Sequence, residues 1–365
     1  MITAHSLVAT HTEACVCVGT CCRAPLDAVH RLPSRRAWVT LLSDATYISG
    51  VCALFNSLLE TETDYALIVM VTPCVPLAVR TKLATIGCKL REVLPLMPRM
   101  SATLHYACDH FADCWAKLRM WDWEEFDLLC YLDADMLLLK NMDELLCADD
   151  IMASRESLRL GEESMACGDS NSAGVIAACR SIHAVQECFC PVAERKALCA
   201  YRPCALGAPA ACPYFNAGLL VLRPSSAVLA HMLHALETCD LGAFPFAEQD
   251  FLNAYFRGLW HPLSWTYNAS KALYASHRGR GQIWDLGMVK NVHYTMAKPW
   301  DLRHSCHKGF EALNELWHAA FAEPHTLPRV TLRAVMQERK AKSKEACSLP
   351  TRNAQLPRNA LVPTG

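Results

Sequence analysis

The sequence predicts an α/β protein with a mixed, mostly parallel central sheet flanked by helices, and two observations carry that prediction. Short apolar runs of strand length alternate with amphipathic stretches of helix length, the pattern of successive βαβ units. One of those runs, Leu128–Leu132 (LLCYL), ends directly on an acidic pair, and strand ends of this kind form the ligand-binding edge of open α/β sheets. At 365 residues the chain can bury a sizeable core as one large domain or two small ones.

Taken in order, residues 37–42 (AWVTLL) read as a strand closed by Ser43-Asp44, and 47–59 as an amphipathic helix. Residues 65–71 (YALIVMV) are a buried strand, a helix follows Pro73, and 88–94 form a third strand. Residues 111–123 have the apolar and aromatic spacing of a helix that leads into LLCYL. The stretch 151–212, rich in Ser, Ala, Cys and Pro, has poor periodicity and reads as an irregular excursion. Order returns with a strand over 214–222 (YFNAGLLVL), a helix over 227–237 and another opened by Glu248, Gln249 and Asp250. The expected organisation is a flexible Cys-containing segment 1–34, a domain over 35–340 and a disordered tail 341–365, which is poor in large apolar residues.

Composition narrows the function. Lys and Arg total 35 against 36 for Asp and Glu, which excludes the basic excess of nucleic-acid or anionic-membrane binders and points to a small molecule or a neutral acceptor. Hydrophobic residues make up 52% of the chain, but every apolar run is interrupted before bilayer length, so no transmembrane segment is expected. The N-terminus lacks a signal-peptide pattern, and the 21 cysteines, an odd number, suit reduced thiols; both favour a cytoplasmic setting. The groups Cys15, Cys17, Cys21, Cys22 and Cys188, Cys190, Cys199, Cys204, Cys212 contain no paired CxxC, so thiols are favoured over a zinc site. A homodimer is left open.

The chemistry concentrates in Asp133-Ala134-Asp135. Two carboxylates one residue apart in a turn can face one hard divalent cation, Mn²⁺ or Mg²⁺. The same residues also serve as turn formers and helix caps, and that reading competes while the pair stands by itself. Far along the chain, a short apolar strand delivers His293, followed by Lys298-Pro299-Trp300. A histidine beside two carboxylates shifts the preference towards Mn²⁺, and a lysine nearby can balance diphosphate charge.

The ordered motifs AWVTLLSDATYISG, KLRMWDWEEFDLLCYLDADMLLL, YFNAGLLVLRP, FAEQDFLNAYF and VKNVHYTMAKPW resemble the family-8 retaining glycosyltransferases, the group that includes glycogenin and the plant galactinol synthases. The resemblance runs from about residue 37 to 300, and KLRMW, FAEQDFLN and HY look closer to the galactinol synthases. It implies a GT-A fold, a Rossmann-like nucleotide-binding sheet merged with an acceptor-binding half, using a UDP-sugar and Mn²⁺. It implies Asp133, Asp135 and His293 as metal ligands, with Ala134 between them. Leu41, Ser43, Asp44 and Tyr47 match positions that hold uracil and ribose; a strand end and loop cap is their structural alternative. Lys117 matches a helical lysine that contacts donor phosphate or sugar, with a solvated helix face as the alternative, and Asn216 and Ala217 match the lining of the sugar pocket, with a β-bulge or turn as the alternative for Asn216. Glu248 and Gln249 match positions facing the reacting side of the sugar, and Lys298 the phosphates.

Two departures stand out: Pro245 replaces a glycogenin acidic residue, and Thr295-Met296-Ala297 replaces a glycine-containing link between histidine and lysine. The expected reaction moves hexose from UDP-glucose or UDP-galactose to a polyol, glycan or protein acceptor: galactosyl to myo-inositol, or glucosyl to a primer. Tyr274 lies near the loop where glycogenins glucosylate themselves, although a tyrosine there ordinarily packs. The rival from another class is a catalytically silent nucleotide-sugar-binding scaffold.

Overall fold

The computed structural model describes residues 35–98, 106–107, 109–147, 181–188, 214–239, 244–278, 284–302 and 307–321. The segment 1–34, the tail 341–365 and all but Cys188 of the two cysteine groups lie outside the described residues.

The N-terminal half follows the expected alternation. Strand β1 (Arg36–Leu42), helix α1 (Ile48–Glu60), strand β2 (Leu67–Val71), helix α2 (Leu77–Ile86) and strand β3 (Lys89–Glu92) place three strands side by side and parallel. Strand β4 (Leu128–Leu132) joins the free side of β1, also parallel. Residues Asp109–Asp122 wind as tight 3₁₀ turns rather than the regular helix their spacing suggests. Trp115, Leu118 and Trp121, three apart as that geometry eclipses them, are all fully buried.

Beyond β4 come strand β5 (Met136–Leu138), short helix α3 (Glu144–Cys147), strand β6 (Ile182–Gln186) and strand β7 (Phe215–Leu222). Helix α4 (Ser226–Thr238) starts where the Ser225 hydroxyl accepts from the Val228 N–H at 3.3 Å. Helix α5 (Glu248–Tyr255), strand β8 (Trp260–Leu263), strand β9 (Ala269–Ser270), helix α6 (Lys271–His277), strand β10 (Asn291–His293) and helix α7 (Glu311–Phe321) complete the described chain. The main sheet runs β3-β2-β1-β4-β7-β6-β8, with β7 antiparallel to both neighbours and its other pairings parallel. β6 falls inside the stretch 151–212, so that stretch carries one strand of the sheet.

Side-chain alternation along the strands divides the core. Val39, Leu41, Leu129 and Tyr131 pack with Trp115, Trp121, Phe251 and Phe256 on one face. Trp38, Leu42, Cys130 and Leu132 pack with Val51, Leu54 and Leu58 of α1 on the other. A second sheet, β5-β10-β9, packs its Leu137 and Val292 against Leu313, Leu316 and Trp317 of α7. Among the described residues no helix is long and apolar enough to cross a membrane. Cys52, Cys88, Cys130 and Cys188 are buried cysteines outside any disulfide, and burial pushes Cys88 up to about 12, the state of an inert core residue.

Candidate functional site

The sheet order creates the site. β1 and β4 are parallel neighbours, so the loop Ser43–Asp44 and the turn Asp133-Ala134-Asp135 emerge side by side at their carboxyl ends. β7, antiparallel to β4, brings its own segment against that turn, and the Asp133 N–H donates to the Gly218 carbonyl at 2.8 Å. The pairing of β7 with β6 jumps here: Val185 opposes Asn216, whereas Ala184 opposes Leu220. Ala217, Gly218 and Leu219 therefore bulge out of the β6 ladder, the irregularity that re-aims side chains at sheet edges.

The small sheet supplies the histidine. β10 pairs antiparallel with β5, setting His293 opposite Met136, and the Tyr294 N–H donates to the Asp135 carbonyl at 2.9 Å. His293 Nε2 lies 3.3 Å from Asp135 Oδ1 and 3.7 Å from Asp133 Oδ2. One ligand atom from each of the three residues falls within 4.8 Å of the others. His293 Nδ1 meets Asn268 Oδ1 at 2.9 Å, so the other ring nitrogen is the one that faces the carboxylates.

These residues fit a divalent cation on two grounds. The donor set is two carboxylates and an imidazole. In addition, Gly218 leaves a space no other residue would: a Cβ there would sit 2.5 Å from His293 Cε1 and 2.8 Å from Asp133 Oδ2. Gly218→Ala is accordingly expected to displace those side chains and weaken divalent-cation binding by about tenfold or more, the scale on which misoriented ligands cost affinity. Calorimetric titration with Mn²⁺ checks this, and an unchanged affinity would show that the cradle is not needed.

Charge around the cage is arranged in two layers. Burial opposes the negative charge on Asp135, but Lys298 and His293 overcome it and hold the carboxyl well below the usual carboxylate range. Lys298 donates to Asp135 Oδ2 and, at 3.1 Å, to the Tyr294 carbonyl, and its ammonium lies 5.8 Å from the centre of the Tyr47 ring. The Tyr131 hydroxyl donates to Asp133 Oδ1 at 2.8 Å, and burial keeps that phenol protonated. Behind it, Lys117 is 2% exposed and donates to the Ala217 carbonyl at 3.0 Å and to Glu248 Oε1 at 2.9 Å, with Asp133 Oδ1 at 3.3 Å. Burial works to strip the Lys117 proton, yet Asp133 and Glu248 outweigh it and hold its pKa above the ordinary lysine value. Burial also pushes the Glu248 carboxyl up, against the pull of Lys117.

Glu248 opens α5 after Ala247, a buried residue at φ 47°, a backbone conformation that side chains disfavour and that is held here by the surrounding packing. Gln249 Oε1 accepts from the Ala217 N–H at 3.0 Å and its Nε2 donates to the Tyr214 hydroxyl at 3.2 Å. Asp250 accepts from that same hydroxyl at 2.5 Å and from the Phe246 N–H at 2.7 Å.

The structure thus brings Lys117, Asp133, Asp135, Ala217, Glu248, Gln249, His293 and Lys298 to one edge of the sheet. Asn216, beside them, has its amide in contact with Gly218, Glu187 and Asn268. Leu41 is a buried strand end. Asp44 accepts from the Thr46 N–H at 2.7 Å as a turn cap, and its bonds to Thr46 lower its pKa. Tyr47 meets Trp300 edge-on at 5.5 Å, tying the first loop to the segment that carries Lys298. Met296 takes φ 68° within the link where glycogenins have a glycine. Tyr274 packs between Trp284 and Phe310, at 5.0 and 5.9 Å between ring centres.

Sequence reasoning missed Tyr131, Gly218, Asn268 and Glu187. Tyr131 was within reach, because a residue two before Asp133 in a strand shares its face. Asn268 stood in view as the first residue of an Asn-Ala-Ser sequon, and it is only 5% exposed in the fold.

The glycosyl transferase family 8 model matches residues 38–303. Galactinol synthase 1 of Solanum lycopersicum is 31% identical over 268 residues, which is 72% of this chain and 73% of that protein. Galactinol synthase 7 of Arabidopsis thaliana is 31% identical over 290 residues, 75% of this chain and 77% of its own. A solved structure of an active-site mutant of LgtC shares the fold, with a TM-score of 0.50 at 18% identity, covering 80% of this chain and 97% of that one. Because the family match starts in β1 and ends beyond His293, it spans every element that builds this edge, and the chain belongs to glycosyl transferase family 8, a glycosyltransferase on a GT-A fold.

Proposed function

We propose that the chain is a retaining hexosyltransferase that moves galactose from UDP-galactose to a polyol hydroxyl, with myo-inositol as the first acceptor to test and Mn²⁺ as the cation. The observation that carries this is the cage of Asp133, Asp135 and His293 with Lys298 bonded to its rim. The choice of polyol over a glucan or protein primer is supported by relatives named galactinol synthase, about 30% identical over about three quarters of this chain. Tyr274 sits in a ring cluster, which argues against self-glucosylation from UDP-glucose at that residue.

A cation bound in the cage supplies Lewis-acid stabilisation of the departing diphosphate. The chain's own groups do the rest. Lys298 adds a fixed positive charge where the leaving group collects negative charge. Leu41, Ser43, Asp44 and Tyr47, on the neighbouring strand end, hold uracil and ribose. Asn216, Ala217 and Gln249 line the sugar. Lys117 acts from beneath, holding Asp133 and Glu248 in place.

Glu248 faces the sugar with Oε1 already bonded to Lys117 and its side chain 6% exposed, poor conditions for a covalent nucleophile. Same-face attack follows: the acceptor oxygen bonds to the anomeric carbon as the phosphate oxygen leaves, and the acceptor proton passes to that phosphate. Glu248→Gln is then expected to cost about 10²–10³ in kcat, the loss of electrostatic support, and not the roughly 10⁶ that follows deletion of a nucleophile. Steady-state UDP release measures this.

The function is tested by UDP release from UDP-galactose and UDP-glucose, with and without myo-inositol, in Mn²⁺ and in EDTA. Release that needs UDP-galactose, myo-inositol and metal together supports the proposal. A thermal shift with UDP and Mn²⁺ but no turnover with any donor and acceptor would replace it with the silent scaffold.

A further inference from the structure

We propose that Glu187 is a positioning residue for metal binding, the outer anchor of an amide relay that fixes the tautomer of His293. The inference rests on the reading that Asp133, Asp135 and His293 hold a cation.

The relay is a chain of directional hydrogen bonds that runs from Glu187, half-buried, through the buried amides of Asn216 and Asn268. Glu187 Oε1 accepts from the Cys188 N–H at 3.0 Å, and Oε2 accepts from Asn216 Nδ2 at 2.6 Å. A carboxylate only accepts, so Asn216 must turn its NH₂ towards Glu187. A second anchor agrees: the Gly218 N–H, which only donates, lies 2.9 Å from Asn216 Oδ1. Asn216 Oδ1 also takes a bond from Asn268 Nδ2 at 2.9 Å. Asn268 is thereby oriented with Oδ1 towards His293 Nδ1, at 2.9 Å.

The Asn268 oxygen then holds a proton on Nδ1 of His293, so that Nε2, facing Asp133 and Asp135, is the nitrogen left to take a cation. Reversing the tautomer would require Asn268 to flip and set its oxygen against the oxygen of Asn216, inside a region where both residues are under a tenth exposed. A metal-binding imidazole needs such a partner on its other nitrogen. What this chain adds is distance: Glu187, one of two groups that fix the orientation of Asn216, lies three steps along the network from His293, just beyond β6.

The relay makes a prediction that simple packing does not. Glu187→Leu should weaken Mn²⁺ binding by about tenfold or more, the lower end of the effect of removing an outer partner of a ligand. Asn216→Leu, of similar shape, cuts the relay between Glu187 and Asn268. In that background Glu187→Leu should leave Mn²⁺ affinity unchanged. The experiment is electron paramagnetic resonance of free Mn²⁺ in titrations of the full chain, in the wild type, both single variants, the double variant and Asp133→Asn. Melting curves in EDTA report the structural cost of each change separately. Should Glu187→Leu fail to fold, Glu187→Ala carries the same comparison, because it too removes the oxygen that accepts from Asn216. If the wild type binds Mn²⁺, Asp133→Asn abolishes binding, and Glu187→Leu binds as the wild type does, the relay falls and the cage stands. An equal loss in the two backgrounds also overturns it, because Glu187 would then act without passing through Asn216. If the wild type binds no Mn²⁺, the cage falls and the relay with it.

Discussion

Asp135→Asn is expected to lower sugar transfer by at least about 10³-fold while leaving the fold intact, on the scale of removing a pre-organised group from a developing charge. The two side chains have the same shape, so the effect is electrostatic. Asp135 is 5% exposed, between Lys298 on one oxygen and His293 on the other. An asparagine can still accept from Lys298 through its carbonyl oxygen. Its NH₂ then points at His293 Nε2, 3.3 Å away along the present carboxylate direction, and donates to the lone pair that a cation needs. The substitution therefore removes one ligand and occupies another.

Stability gives an independent reading of the same residue. The folded pKa of Asp135 is depressed, so its charged form contributes stability that is complete above the ordinary aspartate value of about 3.9 and is lost as pH falls through the lower folded value. Melting temperatures of the wild type and the variant should differ at neutral pH and converge in strong acid. UDP release by Asp135→Asn near the wild-type rate, unaffected by EDTA, would remove the metal from the mechanism.

What the sequence disclosed and what it hid have physical causes. β1, β2, β4 and β7 are apolar runs buried on both faces, so composition identifies them, and the carboxyl end of β4 located the aspartates. β6 escaped because IHAVQ is five residues long, carries His and Gln, and lies in a stretch dominated by Ser, Cys and Pro. β8 escaped because Pro262 interrupts it, a residue tolerated at the end of a sheet. The strands of the small sheet have two or three residues, too few for a period to show, yet they place His293. The groups that orient the ligands, Tyr131 excepted, come from β7, from β9's leading residue and from beyond β6, and only the strand pairing brings them together. Motif order could name the ligands; it could not show that Lys117 lies beneath the cage, bonded to Glu248.

That burial makes Lys117→Met the substitution with the largest expected cost in stability, about 3–5 kcal/mol, the range for breaking one side of a buried ion pair. The methionine fills much the same volume, so the cost comes from the charges left behind. Glu248, with a side chain 6% exposed, loses its cation, and Asp133 loses the ammonium 3.3 Å from Oδ1. The sign with pH follows from the raised lysine pKa. Its contribution is present in full below the ordinary value of about 10.4 and fades as pH rises towards the higher folded value; in the variant the pull of Lys117 on Glu248 is gone and burial raises that carboxyl further, so the penalty should shrink as pH falls and Glu248 takes up a proton. Adding Glu248→Leu to Lys117→Met removes the uncompensated acid and should recover part of the lost stability, since a whole buried pair can be replaced by apolar groups at little cost. Urea denaturation of the two variants and the wild type measures both steps. A double variant less stable than Lys117→Met by the full cost of a second core defect would mean that Glu248 does not depend on Lys117, and that the ammonium beneath the cage holds only Asp133 and the bulge of β7.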